Sequence, residues 1–429
     1  MRLVRIAVGV RGGVGEGLLA AVAAAVGTPV YVYRAEEIRE QYRRLDRALE
    51  PVPHRICYSI KANGNLAVLA LLRRLGAGAD IVSGGELVRA LKAGFRGADI
   101  VFSGVGKSRQ ELRAALQAGV GLISVESEEE LAALAEVVAR EGGRRANVGI
   151  RVNPEVTVET HPYTQTGVKG KKFGVPADEA GAIAERAART GGITLRGVAM
   201  HLGSQITDEG PYVQGLLKLL ELVDQLRRGG VKTLEILDLG GGLGIAYRRE
   251  DPRLDVERWA QAVLPHVAAS RLRLVVEPGR YLVAGAGALL TRVLYRKRTG
   301  GRDIAVIDSG MNDLIRPSHY HAYHPIRLVG QADGRAPTTY DVVGPICESG
   351  DFLALDRELP HLERGDLLEV GGAGAYGFVM TSTYNARGRP PEVLVEGDRF
   401  AVVRRRETAG DLMRGETARP SWRRVEDVA

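Results

Sequence analysis

Cysteine is scarce in this chain, which has only two among its 429 residues. Cys57 and Cys347 are too few to build a disulfide scaffold or a cysteine metal cluster, so we expect no metal. Long apolar runs are also missing, because none approaches the roughly 20 residues that span a bilayer. The alanine-rich stretch 18–26 is bounded by Glu16 and Gly27, which favours an amphipathic helix over a signal peptide. We therefore expect a cytoplasmic protein with no membrane partner.

The sequence gives no support for two kinds of ligand, nucleic acids and dinucleotides. The formal charge is +7, but 52 acidic residues are interspersed with the 59 basic ones. No pattern of alternating aromatic and basic residues accompanies that charge, so nucleic acid is not an expected partner. The glycine run Gly240–Gly244 does not match GxGxxG, and the helix signal after it is weak, which disfavours a dinucleotide. A surface that prefers small anionic molecules fits the charge better.

A regular alternation of strands and helices begins near residue 56. Length suggests two or three domains, and 45% hydrophobic residues allow a large core. Near-continuous apolar strands separated by helical segments indicate buried parallel strands. Eight strands close a (β/α)8 TIM-type barrel, although an open doubly wound sheet has the same local pattern. The predicted strands are Ile56–Ile60, Ala79–Val82, Ile100–Ser103, Leu122–Val125, Val148–Val152, Gly197–His201, Leu234–Leu239 and Leu272–Glu277.

The pattern changes after Arg280, where strand-like runs follow one another without helices and are punctuated by glycine and proline. We therefore predict an α/β chain in which the barrel, residues 31–282, is followed by an all-β domain, residues 283–429. The N-terminal segment, residues 1–30, includes a possible strand over Arg2–Val10 that would pack with the β domain. The predicted strands of the second domain are Ala288–Tyr295, Asp303–Asp308, Thr339–Val343, Leu367–Val370, Glu392–Val395 and Phe400–Val403.

Chemically distinctive residues follow five of the barrel strands, and reactive groups gather at the carboxyl ends of such strands. Lys61 follows the first strand, where burial would lower its pKa and make its amine a nucleophile for a carbonyl. A lysine at a strand end can equally extend its ammonium to solvent. Glu277 could hold a proton on a ring nitrogen, or else form a salt bridge with Arg280. His201 could stack on a flat ligand, or fill the core.

The glycines after the seventh strand could form a nest of backbone N–H groups for a phosphate, to which Ser204 would add a hydrogen bond. Glycine-rich turns are also often only turns. Lysine, phosphate nest, stacking histidine and carboxylate together describe a site for pyridoxal phosphate, which needs a partner on its ring nitrogen to act as an electron sink. Arg280, which follows the eighth strand, and Arg316, in the β region, are candidates to clamp a carboxylate. The β region also adds Glu348 as an acceptor for an ammonium, and Cys347 as a proton donor or a small buried hydrophobe.

Several segments together resemble a known family. The chain is similar over about residues 28–415 to the diaminopimelate decarboxylases, which belong to the alanine-racemase-like (fold-type III) class of pyridoxal-phosphate enzymes. The segments that carry the resemblance are YSIKAN at Tyr58–Asn63, DIVSGGEL at Asp80–Leu87, the pattern HPYTQTG…KKFG at His161–Gly174, HLGSQ at His201–Gln205, LDLGGGLGI at Leu237–Ile245, EPGR at Glu277–Arg280, MNDLIRP at Met311–Pro317, GPICESGD at Gly344–Asp351 and GAYGF at Gly374–Phe378.

The resemblance implies a barrel followed by a β domain, a homodimer with active sites shared across the interface, and decarboxylation of meso-2,6-diaminopimelate to L-lysine and carbon dioxide. Catalysis would rest on Lys61, which carries the cofactor as a Schiff base, and on Cys347 as the acid, with Tyr376 as the second choice. The implied cofactor contacts are Lys61, Asp80, His201, Ser204, Gly241, Gly242, Glu277, Gly279, Arg280 and Tyr376. The implied substrate contacts are Arg280, Arg316, Tyr320, Glu348 and Tyr376, with Cys347 and Glu348 coming from the other subunit.

Three alternatives stay open from the sequence. A decarboxylase of ornithine, arginine or carboxynorspermidine would not need both Arg280 and Arg316. A racemase of this class pairs the ring nitrogen with arginine, whereas this chain has Glu277. A regulator that keeps the fold without catalysis would have been indicated by loss of Lys61 or Cys347, and both are present.

Overall fold

The computed structural model describes residues 14–158, 167, 170–330, 332 and 334–424. The predicted strand over Arg2–Val10 and residues 161–166 of the predicted motif lie outside the described residues. The first part of the chain contains α1 (Val14–Val26), β1 (Val30–Arg34), α2 (Ala35–Leu49), β2 (His54–Ser59), α3 (Leu66–Arg74), β3 (Gly78–Ile81), α4 (Gly84–Ala93), β4 (Ile100–Phe102), α5 (Arg109–Ala118), β5 (Leu122–Val125), α6 (Glu128–Arg140), β6 (Ala146–Asn153), β7 (Val175–Pro176), α7 (Ala177–Arg189), β8 (Ile193–Ala199), α8 (Gly210–Arg228), β9 (Ile236–Asp238), α9 (Val256–Ser270), β10 (Arg273–Val276) and α10 (Arg280–Val283).

Eight parallel strands form a closed barrel, as predicted. Their order around the barrel is β2, β3, β4, β5, β6, β8, β9 and β10, and β10 pairs again with β2. The two-residue strand β7 pairs only with the outer end of β6. Each predicted barrel strand coincides with an observed one, with ends that differ by up to four residues. The chain therefore has the TIM-type architecture rather than an open doubly wound sheet.

Local capping chemistry explains where the barrel helices begin and end. Ser83 and Ser108 accept hydrogen bonds from the third backbone N–H groups of α4 and α5, and Glu111 completes a capping box at α5. Gly94 and Gly119 end these helices with φ of 93° and 65°, a left-handed conformation that costs glycine little. These caps set the bounds of α4 and α5, which follow β3 and β4. Because the barrel strands are parallel, their carboxyl ends lie on one side of the barrel.

The barrel interior changes from apolar to polar along the strands. The apolar cluster near the amino end is formed by Cys57, Val101, Leu122, Ile236 and Val275. Because side chains alternate between the two faces of a strand, the next inward position lies two residues later. Those positions hold buried polar residues, namely Ser59, Ser103, Ser124, Asp238 and Glu277. The pleat therefore collects hydroxyl and carboxyl groups in one layer at the carboxyl end of the barrel.

A second, mixed sheet, which has nine strands within the described residues, follows the barrel. The further elements of the chain are β11 (Gly287–Thr299), β12 (Arg302–Ile307), α11 (Arg316–Tyr320), β13 (Ile326–Leu328), β14 (Pro337–Val343), β15 (Phe352–Pro360), β16 (Leu367–Val370), β17 (Glu392–Glu396), β18 (Arg399–Arg404) and α12 (Ala409–Leu412). Two strands of this sheet, β13 and β15, were not predicted.

Strand β1 belongs to the second sheet, where it runs antiparallel to β11 and parallel to β17. This corrects the expectation that residues from 31 onward belong to the barrel, since a closed barrel offers no edge to a ninth strand. Helix α1 packs on the same sheet through Leu19 and Val22, which are buried against Val30 and Val393. Apart from the place of β1, the division of the chain into domains stays a prediction.

Neither a membrane span nor a metal cluster is found in the described ranges. No helix there is long and apolar enough to cross a membrane. No group of three or more histidine, cysteine, aspartate or glutamate side chains there could hold a metal ion.

Asp313 makes the stability of the folded chain depend on pH. Its carboxylate accepts hydrogen bonds from Gly310 N at 3.2 Å and Asn312 Nδ2 at 3.0 Å, and burial raises its pKa to about 7. The folded state therefore binds a proton more readily than the unfolded state, and the contribution of Asp313 to stability is lost as the pH rises from about 4 to 7. In Asp313→Asn, the loss of unfolding free energy over this pH range, measured from urea unfolding curves, should be smaller by on the order of 2–4 kcal/mol. The exposed Asp398→Asn is the control, and an unchanged pH slope in Asp313→Asn would contradict the prediction.

Candidate active site

Lys61 lies just beyond β2, in a short 3₁₀ turn over Ile60–Ala62. Its Nζ donates to Oδ2 of Asp80 on the neighbouring strand at 3.2 Å, and about a third of its side chain is exposed. Asp80 is fully buried, and the same Oδ2 accepts from the hydroxyl of Ser59. The exposed side of Lys61 opens into a cavity of about 520 Å³ that Glu86 and Arg89 also line. Lys61 thus combines a buried ion pair with an open approach.

The expectation that the pKa of Lys61 lies below its ordinary value is wrong. Burial acts in that direction and is the largest single influence, but Asp80, Tyr376 and Glu277 together outweigh it and raise the pKa above its ordinary value. The error arose because Asp80 stands on the neighbouring strand, where only the fold brings it within reach of the amine.

Two more carboxyl groups lie in the polar layer of the barrel. Glu277 follows β10 and accepts from Ser103 Oγ at 3.2 Å. Burial, and then the charges of Asp238 and Asp80, raise the pKa of Glu277 well above its usual range. Burial also raises the pKa of Asp238 to about 6, although its Oδ1 accepts from Gly240 N at 2.8 Å. The alternative salt bridge between Glu277 and Arg280 does not form.

Arg151 supplies positive charge to the same layer. It lies on β6, is buried, and donates through Nη1 to Oε1 of Glu126 at 2.8 Å. Its charge lowers the pKa values of Lys61 and His201 and opposes the rise at Glu277. Glu126 also accepts from Gly104 N at 2.8 Å and Gly174 N at 2.9 Å. Glu126 therefore fixes Arg151 and two loops at the barrel mouth together.

His201 is held as a neutral imidazole. Burial, and then the charges of Lys61 and Arg151, lower its pKa well below its ordinary value. Its Nδ1 accepts from Gly241 N at 3.0 Å, which places the ring proton on Nε2. A Cβ on Gly241 would lie 2.2 Å from the carbonyl oxygen of Glu277, so the close approach of two loops requires glycine there. Gly242 has φ of 96°, and a Cβ there would clash with Gly203 O. A Cβ on Gly279 would come too close to the side chain of Ala62.

A pair of arginines occupies the side of the mouth that faces the second sheet. Arg280 donates through Nη2 to Ser204 Oγ at 3.0 Å and through Nη1 to the Tyr247 hydroxyl at 2.5 Å. Arg316 donates through Nη2 to the same hydroxyl at 3.2 Å. Both arginines are buried. Neither forms an ion pair with a carboxylate in the described part of the chain, so the pair presents uncompensated positive charge to an anion.

Tyr376 connects the arginine pair to Lys61. The Arg280 guanidinium lies 5.0 Å from the Tyr376 ring centroid, and Tyr376 N donates to Ala62 O at 2.8 Å. Tyr376 has φ of 55°, a backbone conformation that residues other than glycine rarely adopt. Tyr320 is half-buried at the end of α11, with its ring 4.5 Å from that of His319. Tyr376 is thus held by the backbone next to Lys61.

Cys347 and Glu348 stand apart from this cluster. Both are exposed, and Cys347 N donates to Asn385 Oδ1 at 2.8 Å. The alternative of a buried Cys347 is therefore wrong for this chain. Asp351 shapes their loop, because its carboxylate accepts from Met311 N and Ile346 N, both at 2.6 Å. The loop is well held, yet it presents its thiol outward.

Four residues of the site were not among the functional candidates predicted from the sequence. Tyr247 and His324 carry no local signal, because they meet the arginines only through tertiary contacts. Arg151 interrupts an apolar strand, and that interruption was a usable signal for a buried charge. Asp238 stood in a quoted segment, but nothing in its spacing showed that it would share the layer with Glu277.

Comparisons with known proteins agree in one family. Residues 35–284 match the family model described as "Pyridoxal-dependent decarboxylase, pyridoxal binding domain". The chain is 51% identical over 402 residues to diaminopimelate decarboxylase of Pseudomonas fluorescens, which covers 94% of this chain and 96% of that protein. It is 46% identical over 397 residues to the Neisseria meningitidis enzyme of the same name, covering 92% of this chain and 97% of that protein.

A solved structure extends the agreement to the fold. The crystal structure of diaminopimelate decarboxylase from Helicobacter pylori, complexed with L-lysine, matches with a TM-score of 0.88 and 38% identity. The match covers 92% of this chain and 98% of that one. Sequence and fold are therefore shared over nearly the whole length, and the chain belongs to the diaminopimelate decarboxylase family of pyridoxal-dependent enzymes.

Proposed function

We propose that this chain catalyses the pyridoxal-phosphate-dependent decarboxylation of meso-2,6-diaminopimelate to L-lysine and carbon dioxide, the last step of lysine biosynthesis. The observation that carries the choice of substrate is the arginine pair, Arg280 and Arg316. Both guanidiniums are buried at the mouth of the barrel without an ion-pair partner among the described residues. A substrate with a second carboxylate, remote from the one that is lost, fits such a pair. The lysine-complexed Helicobacter pylori structure supports an amino-acid ligand.

The residues present fit pyridoxal phosphate. A primary amine on Lys61 stands at the mouth, and Glu277 brings a buried carboxyl group to the same layer. The neutral imidazole of His201 presents a flat surface beside Gly241, and Ser204 Oγ accepts from Arg280 at the same mouth. Asp80 Oδ1 is buried without a hydrogen-bond partner among the described residues. When bound, the cofactor supplies an electron sink for the electron pair that remains when carbon dioxide leaves.

Lys61 is the residue that we assign to the covalent link with the cofactor. Its ammonium must lose a proton before the amine can attack a carbonyl. Asp80 Oδ2, at 3.2 Å, is positioned to take or stabilise that proton. Arg151 lowers the pKa of Lys61, against the effect of the carboxylates. The raised pKa keeps the amine of Lys61 protonated, and Asp80 would accept its proton when the amine bonds to the cofactor.

Glu277 is assigned to face the pyridine nitrogen. Ser103 orients one of its oxygens at 3.2 Å, and its raised pKa keeps a proton available at that position. His201 is assigned to one face of the ring, and its Nδ1 hydrogen bond to Gly241 N fixes the imidazole plane. Ser204, Gly241, Gly242, Gly279 and Arg280 are assigned to the phosphate end.

Substrate binding is assigned to Arg280, Arg316, Tyr320 and Tyr376 of one chain. Because Cys347 and Glu348 are exposed, we assign them to the site of a second subunit in a homodimer. There Glu348 would accept from the substrate ammonium and Cys347 would return a proton to the carbon, with Tyr376 as the alternative acid. The cytoplasmic location and the absence of a nucleic-acid partner stay predictions.

A panel of substrates tests the proposed function. Purified protein loaded with pyridoxal phosphate is incubated separately with meso-diaminopimelate, ornithine, arginine and carboxynorspermidine, and carbon dioxide and the product are measured. We expect release from diaminopimelate alone, with one L-lysine formed per carbon dioxide, because only this substrate brings a remote carboxylate to the arginine pair. Release from one of the other three would keep the mechanism and overturn the substrate. No release from any of the four would reject the decarboxylase.

A further inference from the structure

Tyr247 joins the two arginines of the site. Its hydroxyl oxygen accepts from Arg280 Nη1 at 2.5 Å and from Arg316 Nη2 at 3.2 Å. Both guanidiniums also lie near its ring, with centroid distances of 5.9 Å and 5.5 Å. A phenol has two acceptor sites and one O–H donor. Since both acceptor sites are taken, the hydroxyl has only its proton left to offer.

That proton has no acceptor among the described residues, because both hydrogen bonds of the Tyr247 hydroxyl there are donated to it. The hydroxyl therefore lies between two guanidinium groups, and its own proton is left to donate. An anion bound by the arginine pair would accept that proton in a hydrogen bond.

His324 holds the second arginine from behind. Its Nε2 accepts from Arg316 Nε at 3.2 Å, and its Nδ1 donates to Gly371 O at 2.9 Å. Burial, and then the Arg316 charge, lower the pKa of His324 to about 3, so the imidazole stays neutral and keeps the acceptor on Nε2. Its ring meets the Tyr247 ring edge to face at 5.5 Å. Arg316 is therefore oriented by a neutral partner that does not cancel its charge.

We propose that Tyr247 is a specificity-determining residue, whose hydroxyl donates to the remote carboxylate of the substrate while it aligns Arg280 and Arg316 on that carboxylate. His324 is a positioning residue that acts through Arg316. This inference rests on the proposed function for the identity of the substrate, but the subsite itself needs only a carboxylate that lies several carbons from the reacting amine.

A pair of ligands isolates the subsite. L-Lysine and 1,5-diaminopentane (cadaverine) differ by one carboxylate, so the ratio of their dissociation constants reports how strongly the protein binds that group. Both constants are measured by calorimetry on the cofactor-loaded wild type, Tyr247→Phe and Tyr323→Phe. Tyr323 is the matched control, because its ring packs on Arg248 and Arg357 at 4.3 Å and 4.1 Å, and no hydrogen bond within the described ranges uses its hydroxyl.

We expect the wild type to prefer L-lysine. In Tyr247→Phe the preference should fall about tenfold or more through weaker L-lysine binding alone, the scale of one lost hydrogen bond to a charged group. Tyr323→Phe should keep the preference. With meso-diaminopimelate, Tyr247→Phe should raise KM by a similar factor and change kcat little. His324→Asn keeps a donor toward Gly371 O, but its shorter side chain leaves no acceptor at the position of Nε2 for Arg316, so it should shift the ratio in the same direction.

Three outcomes would overturn the inference: no preference for L-lysine in the wild type, an unchanged preference in Tyr247→Phe, or equal weakening of both ligands. Failure of the proposed function looks different. If the wild type releases no lysine from diaminopimelate, yet prefers L-lysine and loses that preference in Tyr247→Phe, the carboxylate subsite stands and the reaction is wrong.

Discussion

Replacing Lys61 with arginine should abolish carbon dioxide release from meso-diaminopimelate, with a fall of roughly 10³-fold or more, the scale on which loss of a nucleophile acts. Arginine keeps a positive charge beside Asp80, so the ion pair at 3.2 Å has a replacement partner. A guanidinium cannot give up its proton in a protein and cannot attack a carbonyl. The substitution therefore separates the chemistry of the amine from its charge.

Two measurements accompany the Lys61→Arg assay. The thermal midpoint should stay within a few degrees of the wild type, which shows that the barrel is intact. Lys92→Ala, which removes an exposed lysine of α4, should retain full activity. Substantial turnover by Lys61→Arg would exclude Lys61 as the residue that carries the cofactor.

Cys347→Ala should lower turnover by about 10²–10³-fold, the range in which a general acid contributes. The cofactor should remain bound with its visible absorbance unchanged, because no cofactor contact is assigned to Cys347. The loop should keep its shape, since Asp351 holds it through backbone N–H groups that the substitution leaves in place. Unchanged turnover would reject Cys347 as the acid and favour Tyr376.

Mixing the two inactive variants tests whether sites are shared between subunits. If Lys61 of one chain works with Cys347 of the partner subunit, a hybrid dimer of Lys61→Arg and Cys347→Ala has one intact site. Random exchange of subunits should then restore about a quarter of wild-type activity. If both residues acted within one chain, every site in the mixture would carry a defect, and no activity would return.

The sequence predicted the barrel well because its signals are local. Apolar runs marked the eight strands, and the helices between them are bounded by local caps such as Ser108 and Gly119 of α5. Strand β1 was assigned to the wrong unit because its partners, β11 and β17, lie more than 250 residues away along the chain. Nothing in VYVYR itself states which sheet it will join.

The candidate site divides in the same way. Lys61, His201 and Glu277 stood out because each stands at the carboxyl end of a predicted strand. Tyr247 and His324 did not, because their roles arise from contacts with two arginines brought from other segments. The pKa of Lys61 was predicted in the wrong direction for the same reason, since the charge that decides it belongs to the next strand. Strand-end residues therefore predicted where the site lies in the barrel, whereas the charges that act on those residues come from tertiary contacts that the sequence does not show.

The assigned role of Lys61 is tested most directly by identifying the lysine that carries the cofactor. The loaded protein is reduced with borohydride, digested, and mapped by mass spectrometry for the peptide that retains the pyridoxyl group. We expect a single modified site at Lys61, in the peptide that includes Tyr58–Ser59–Ile60. We expect no label at Lys107, whose ammonium is fully buried against Glu130 and two carbonyl oxygens. Label at another lysine, or none at all, would contradict the assignment of Lys61.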